Sequence, residues 1–295
     1  MTAFADRVAG APISWGVCEV PGWGWQLDAE TVLSEMRDVG LVATEFGPDG
    51  FLPDAPQDKA RTLADNRLRA VGAFVPVVLH DAEHDPIPEI EEAVTSFVAA
   101  GASVLVLAAA TGTDGYDERP PLDEAGWQML LTNLDRLDEV ARRSGVIATL
   151  HPHVGTMVET ADDVERVLVG SGIGLCLDTG HLLIGGADPV TLAARHAGRI
   201  RHTHLKDVDA AWAGRVQSGE VTYTDAVRAG MFRPLGQGDV DIAAIVGSLE
   251  GAGYDGWYVL EQDTILSGPH GAKGGPRDDV RASIEHLGAI VRGLT

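Results

Sequence analysis

Val146-Ile-Ala-Thr-Leu-His-Pro-His153, Gly174-Leu-Cys-Leu-Asp-Thr-Gly-His181 and Arg199-Ile-Arg-His-Thr-His-Leu-Lys-Asp207 are the stretches that decide the fold. Each is a short apolar run, bounded by glycine or a turn, that ends in a group able to bind a metal. Segments of helical character separate them, which predicts parallel βα units and not hairpins. A fourth run, Gly256-Trp-Tyr-Val-Leu260, leads into Glu261-Gln-Asp263 in the same way. Parallel strands of this kind carry their functional groups at their C-terminal ends. Four strand ends therefore offer imidazole and carboxylate to one place.

Working outward, further strands are predicted over residues 11–16, 41–46, 70–79 and 103–110, with Glu45 near the end of the second. Helical patterns cover residues 57–69, 89–100, 122–144, 161–169, 189–197, 242–250 and 277–292, and Asp28 opens a helix before them. Eight strand–helix pairs without an obvious linker predict an α/β fold, a single (β/α)8 TIM barrel over residues 1–295. A doubly wound sheet needs a glycine fingerprint after its first strand. The glycine-rich Gly170-Ser-Gly-Ile-Gly174 instead precedes a strand, where it ends a helix. After the seventh strand a long loop, residues 208–238, exceeds the usual βα connection and is expected to cover the site, with Trp212, Phe232 and Arg233 as its contact residues.

The formal charge of −22 argues against nucleic acid and anionic membrane as partners, because phosphate contacts need a cationic surface. A small polar substrate fits better. Cys18 and Cys176 make no disulfide framework, and neither a leader peptide nor a spanning apolar run is present, so a cytoplasmic protein is expected. The sequence is compatible with a homo-oligomer. The loop of residues 17–26 is aromatic, and Trp15, Trp23 and Trp25 are candidates either to wall a sugar-like ligand or to cover the barrel mouth.

Side chains alternate along a strand, so Asp178 shares a face with Cys176, His204 with His202, His151 with Thr149, and Glu261 with Val259. If that face is the inner one, the uppermost inward groups are His151, Asp178, His204 and Glu261. Two nitrogens and two oxygens suit a divalent ion, manganese or cobalt first, with zinc or magnesium as alternatives. Inward carboxylates at a barrel mouth also repel one another without a cation. His202 and His181 read as supports that orient such ligands. Glu261 is the candidate base, with Glu45 as runner-up. Lys206 is a candidate acid or charge stabiliser, or else a rim ion pair with Asp207 or Glu45; His153 and His181 are further candidates for the acid. Trp15, Trp23, His181 and Arg233 are candidate substrate contacts.

Leu177-Asp-Thr-Gly-His-Leu182, His202-Thr-His-Leu-Lys-Asp207, Pro234-Leu-Gly-Gln-Gly-Asp239 and Gly256-Trp-Tyr-Val-Leu-Glu261 resemble the signatures of the xylose isomerase-like TIM barrels. Ala11-Pro-Ile-Ser-Trp15, Thr44-Glu-Phe-Gly-Pro48, His151-Pro-His-Val-Gly-Thr156 and Glu261-Gln-Asp263 are most similar to the inosose dehydratases of myo-inositol catabolism. The resemblance implies metal ligands at Asp178, His204 and Glu261, with His151 standing where the superfamily carries a glutamate. Ketose epimerases use that glutamate as half of an acid–base pair, so its replacement points away from epimerisation. Residues 17–26 depart from the Asn-Asp-Asp stretch of typical inosose dehydratases. The implied activity is a lyase that dehydrates a polyhydroxylated cyclic ketone, 2-keto-myo-inositol or a related inosose, through a metal-held enediolate. The alternatives are a metal-dependent epimerase or isomerase of a keto-sugar, and a metal- or sugar-binding protein without turnover.

Overall fold

In the computed structural model, which describes residues 4–269 and 275–294, the strand Val8–Gly10 pairs in parallel with Ala43–Thr44 on one side and Tyr258–Leu260 on the other. Parallel pairing continues from Tyr258–Leu260 through Ile200–Leu205, Gly174–Asp178, Ile147–Leu150 and Val104–Ala110 to Gly72–Val78. At the other end Ala43–Thr44 pairs with Arg69–Ala70. The two ends of the sheet are consecutive in the chain and meet at Val71. Its N–H donates to the Thr44 carbonyl (3.0 Å), and its own carbonyl accepts from the Val104 N–H (3.1 Å). The sheet therefore closes into a barrel. Gly72 follows the junction, where a Cβ would stand 1.8 Å from the Val104 carbonyl oxygen, so only glycine lets the backbones approach this closely.

The first strand differs from the sequence expectation. Residues 11–16 do not form it; the strand is Val8–Gly10, and Pro12–Trp15 is a 3-10 turn ended by Gly16 at φ 79°. Proline has no N–H to give a ladder, and its fixed φ suits the start of a turn. The turn drives Trp15 into the packing between barrel and helices, where its Nε1–H donates to Glu35 (2.8 Å).

Eight of the longer helices lie outside the barrel, among them Ala29–Asp38, Ile87–Ala100, Glu124–Arg143 and Pro276–Leu294. Acidic or hydroxyl N-caps start several of them: Asp28 accepts from Thr31, Asp123 from Gly126, Asp241 from Ala244, and Thr160 and Asp163 form a reciprocal capping box. Part of the acidic excess thus serves helix starts. Leu175 and Leu177 pack outward into the large cluster between strands and helices. Ala9, Ala11, Ala43, Val71, Val104, Val106, Cys176 and Val259 form a second, smaller cluster. Cys176 and Val259 are in it, as alternation requires of residues two below Asp178 and Glu261.

The connection after Ile200–Leu205 is not the open loop that its sequence suggests. It contains the helices Ala210–Gln217 and Tyr223–Arg228, and a two-stranded antiparallel ribbon in which Asp207–Val208 pairs with Phe232–Arg233. Asp209 and Thr222 cap the two helices, and an apolar cluster including Val208, Tyr223, Val227, Met231 and Phe232 holds the excursion on the barrel. Asp207 secures its return by accepting from the N–H groups of Gly236, Gly238 and Val240. None of the described helices is long and apolar enough to cross a membrane.

Candidate active site

Asp178 ends its strand and at once caps the short helix Thr179–Ile184. Its Oδ1 accepts from the N–H groups of Gly180 (2.9 Å) and His181 (2.8 Å), which leaves Oδ2 facing the barrel axis. There Oδ2 lies 3.0 Å from His151 Nε2 and 3.6 Å from His204 Nδ1, and Glu261 Oε2 lies 2.9 Å from His204 Nδ1. One donor atom from each of His151, Asp178, His204 and Glu261 falls within a 4.8 Å cluster. Two donors bound to one ion at about 2.0–2.2 Å stand about 3 Å apart, so these separations fit a shared divalent cation. The Nδ1 atoms of His151 and His204 are buried without a hydrogen bond, although that of His204 is close to a carboxylate. The donor set is thus chemically suited to a metal.

Glu45 reaches the cavity lining from its strand end and there holds two of the histidines. Its Oε1 accepts from His202 Nε2 (2.8 Å) and His204 Nε2 (2.9 Å), so it orients both histidines. Burial alone would raise the Glu45 carboxyl, but His204 and His202 hold it well below the usual range. Burial would likewise depress His204, and Cys176, Glu261 and Glu45 push it well above. At His151 burial prevails over the pull of Asp178 and lowers the imidazole to about 4, which keeps it neutral and available as a ligand.

Lys206 Nζ stands above this layer, 3.1 Å from Glu261 Oε2, 3.6 Å from Asp178 Oδ2 and 3.1 Å from His181 Nε2, and it donates to Asp263. Burial opposes its charge, yet Asp178, Asp263 and Glu261 raise it above the ordinary lysine value. Its partners are these groups and not Asp207, whose carboxylate is taken by the returning excursion, or Glu45, which faces the histidines. Asp263 and Tyr223, whose hydroxyl donates to Asp263, were not singled out among the site residues from the sequence. The repeated acid two residues beyond Glu261 is a usable signal for Asp263. Tyr223 carries none, because its neighbours in space are remote in sequence.

The cavity over these groups measures about 1280 Å³ and is lined by His151, His153, His204, Lys206, Tyr223, Glu261 and Asp263 together with Trp23, Glu45 and other loop residues. His153 donates from Nδ1 to the Val154 carbonyl (2.7 Å), which leaves Nε2 as its acceptor, and stacks 3.7 Å from His181. Trp23 contributes a wall, fixed by its Nε1–H to the Thr264 carbonyl. Three expected substrate contacts lie elsewhere. Trp15 is sealed in the outer core by the Pro12–Trp15 turn, and Arg233 reaches Asp209 on the partly exposed rim. His181 is buried beside Lys206 and Asp263 and is not part of the cavity lining. Trp212 stacks on Arg215 and is also outside the cavity lining, and Trp25 is half exposed. The cavity mouth carries Glu19, Asp49, Asp54, Glu89 and Glu92 against Lys59.

Residues 33–290 match the model of the xylose isomerase-like TIM barrel family. The chain belongs to that family. It is 30% identical over 272 residues to the inosose dehydratase of Geobacillus thermodenitrificans, an alignment covering 88% of this chain and 91% of the relative. In three dimensions it is similar to the IolI protein crystallised with a zinc atom, with a TM-score of 0.70 and 15% identity over 98% of this chain and 99% of the other. It is similar also to L-ribulose 3-epimerase, with a TM-score of 0.68 and 18% identity over 98% and 95% of the two chains. Within the family the chain is of the inosose dehydratase-like type.

Proposed function

We propose that this member of the family is a divalent-metal-dependent hydro-lyase that removes water from a polyhydroxylated cyclic ketone, 2-keto-myo-inositol or a related inosose. One observation carries the reading: Glu261, a carboxylate of the four-donor cluster, stands 3.1 Å from the ammonium of Lys206, and both line the cavity. Elimination needs that combination, a base for the proton beside the ketone and an acid for the departing hydroxyl. Similarity to the Geobacillus inosose dehydratase over nearly the whole chain supports the substrate class.

His151, Asp178, His204 and Glu261 would hold the ion, with manganese or cobalt favoured over zinc or magnesium. A bound divalent ion supplies Lewis acidity that spreads the negative charge appearing on the ketone oxygen when the α-proton leaves. Glu45 keeps His204 turned so that Nδ1 faces the cluster. Glu261 takes the α-proton; Lys206 donates to the β-hydroxyl as its bond to carbon breaks. His153, with Nε2 as acceptor, and Trp23 bind the ring hydroxyls and its apolar face. The buried setting excludes bulk water and strengthens each of these charges.

The test is direct incubation of the full chain with 2-keto-myo-inositol and manganese or cobalt. The expected product is an unsaturated ring ketone that absorbs in the ultraviolet and has lost the mass of one water. An isomer of unchanged mass establishes instead the epimerase reading, which similarity to L-ribulose 3-epimerase favours. Tight binding without turnover establishes a sugar-binding protein.

A further inference from the structure

Two side chains of the excursion between Asp207 and Asp239 converge on Lys206. Tyr223 donates its hydroxyl to Asp263, whose other oxygen accepts from Lys206 Nζ. Phe232, on the returning ribbon, places its ring centroid 5.3 Å from the same Nζ and 6.1 Å from the ring of His181. Tyr223 and Phe232 also touch each other, with ring centroids 6.3 Å apart at 80°. Gly180 closes the arrangement from below, since a Cβ there would meet Lys206 Cβ at 2.8 Å and Phe232 at 2.9 Å. The lysine stem is flexible in itself and occupies one position only because these groups enclose it.

We propose that the excursion is the positioning device for Lys206, that Tyr223 and Phe232 are its positioning residues, and that it commits the site to losing water after the α-proton is removed. The proposal rests on the dehydratase reading above. Removing the α-proton requires the carboxylate and not the ammonium, whereas loss of hydroxide requires a donor held at the β-oxygen. The balance is closed within the site. The C–H bond breaks and its proton passes to Glu261, leaving the electron pair delocalised over the α-carbon and the ketone oxygen; in the second step that pair forms the new C=C bond as the C–O bond breaks. The hydroxide leaves as water with a proton from Lys206. The proton on Glu261 then returns to Lys206 across 3.1 Å, with no oxidant or reductant. A lysine freed from Tyr223 and Phe232 leaves the first half intact and impairs the second.

Lysine stands only at positions 59, 206 and 273, so labelling by an amine-reactive imidoester, read by mass spectrometry, reports on each separately. In the full-length manganese-loaded protein, Tyr223→Phe and Phe232→Leu are each expected to raise the labelling rate of Lys206 severalfold relative to Lys59. With 2-keto-myo-inositol in D2O the same variants are expected to lower the ratio of water loss to α-deuterium incorporation by roughly ten- to a hundredfold. Trp212→Ala, on the same excursion but stacked on Arg215 at 4.3 Å, should change neither quantity. Circular dichroism confirms that each variant is folded. Unchanged Lys206 labelling in both folded variants overturns the proposal, and raised labelling with an unchanged ratio overturns its link to water loss. Raised labelling in a protein whose wild type leaves the inosose untouched supports the positioning and removes the dehydratase reading beneath it.

Discussion

Glu45 Oε1 stands 2.9 Å from His204 Nε2, which turns the other ring nitrogen of His204 toward Asp178 and Glu261. The same oxygen holds His202 at 2.8 Å. A carboxylate at the end of one strand thus fixes two imidazoles on another, more than 150 residues away in sequence. Glu45→Gln should weaken metal binding by about 10- to 100-fold, as loss of a ligand's supporting partner does. Equilibrium dialysis against manganese measures it. Activity should return when metal is raised. If affinity is unchanged while α-proton exchange is lost, Glu45 is the base and Glu261 is not.

Glu261→Gln addresses the base from the other side. The amide is expected to abolish both water loss and solvent-deuterium exchange at the α-carbon, a fall of at least about a hundredfold. Exchange that persists while elimination stops would place Glu261 after proton abstraction. Metal content of the variant, measured by elemental analysis, separates loss of the base from loss of the ion.

Chelation should remove activity, and stoichiometric manganese or cobalt should restore it, with one ion per chain by elemental analysis. His151→Ala removes a donor that lies 3.0 Å from Asp178 and is expected to lower affinity further than Glu45→Gln does. Full activity in metal-free protein would dismiss the metal reading altogether.

Asp163 gives a prediction about stability and pH. It accepts from the Thr160 and Glu159 N–H groups and from Arg119. Although partial burial works the other way, the Thr160 N–H and Arg119 hold its carboxyl below the usual value of 3.8. A depressed carboxyl contributes stability that is fully present above the unfolded pKa and is lost as pH falls through the folded one. Asp163→Asn should therefore cost about 1 kcal/mol in urea unfolding at neutral pH. The difference from wild type should shrink below pH 3.8. A difference that stays constant into acid would show that the charge of Asp163 does not matter.

Arg233→Ala should leave kcat/KM within about twofold and stability within about 0.5 kcal/mol, as expected of a rim residue paired with Asp209 at 3.5 Å. A large rise in KM would return Arg233 to the list of substrate contacts.

What the sequence determined by itself follows from periodicity. Alternation along Gly174–Asp178 and Ile200–Leu205 put Asp178 and His204 on one face, and strand-end placement put His151 and Glu261 at the same C-terminal mouth, because parallel strands in a barrel share direction. The barrel itself was legible for the same reason. Tertiary structure decided the rest. Whether Glu45 takes a proton or orients His204 depends on the distance between two strands that pairing brings together, and local sequence does not encode it. Trp15 was lost to the outer core because Pro12 turns the chain after Val8–Gly10, three residues before Trp15. Tyr223 lies on a helix of six residues, too short for its periodicity to stand out, and its partner Asp263 is 40 residues further along. Such contacts are set by packing of the excursion against the barrel mouth, where apolar burial fixes position and the hydrogen bonds of Asp263 and Lys206 follow.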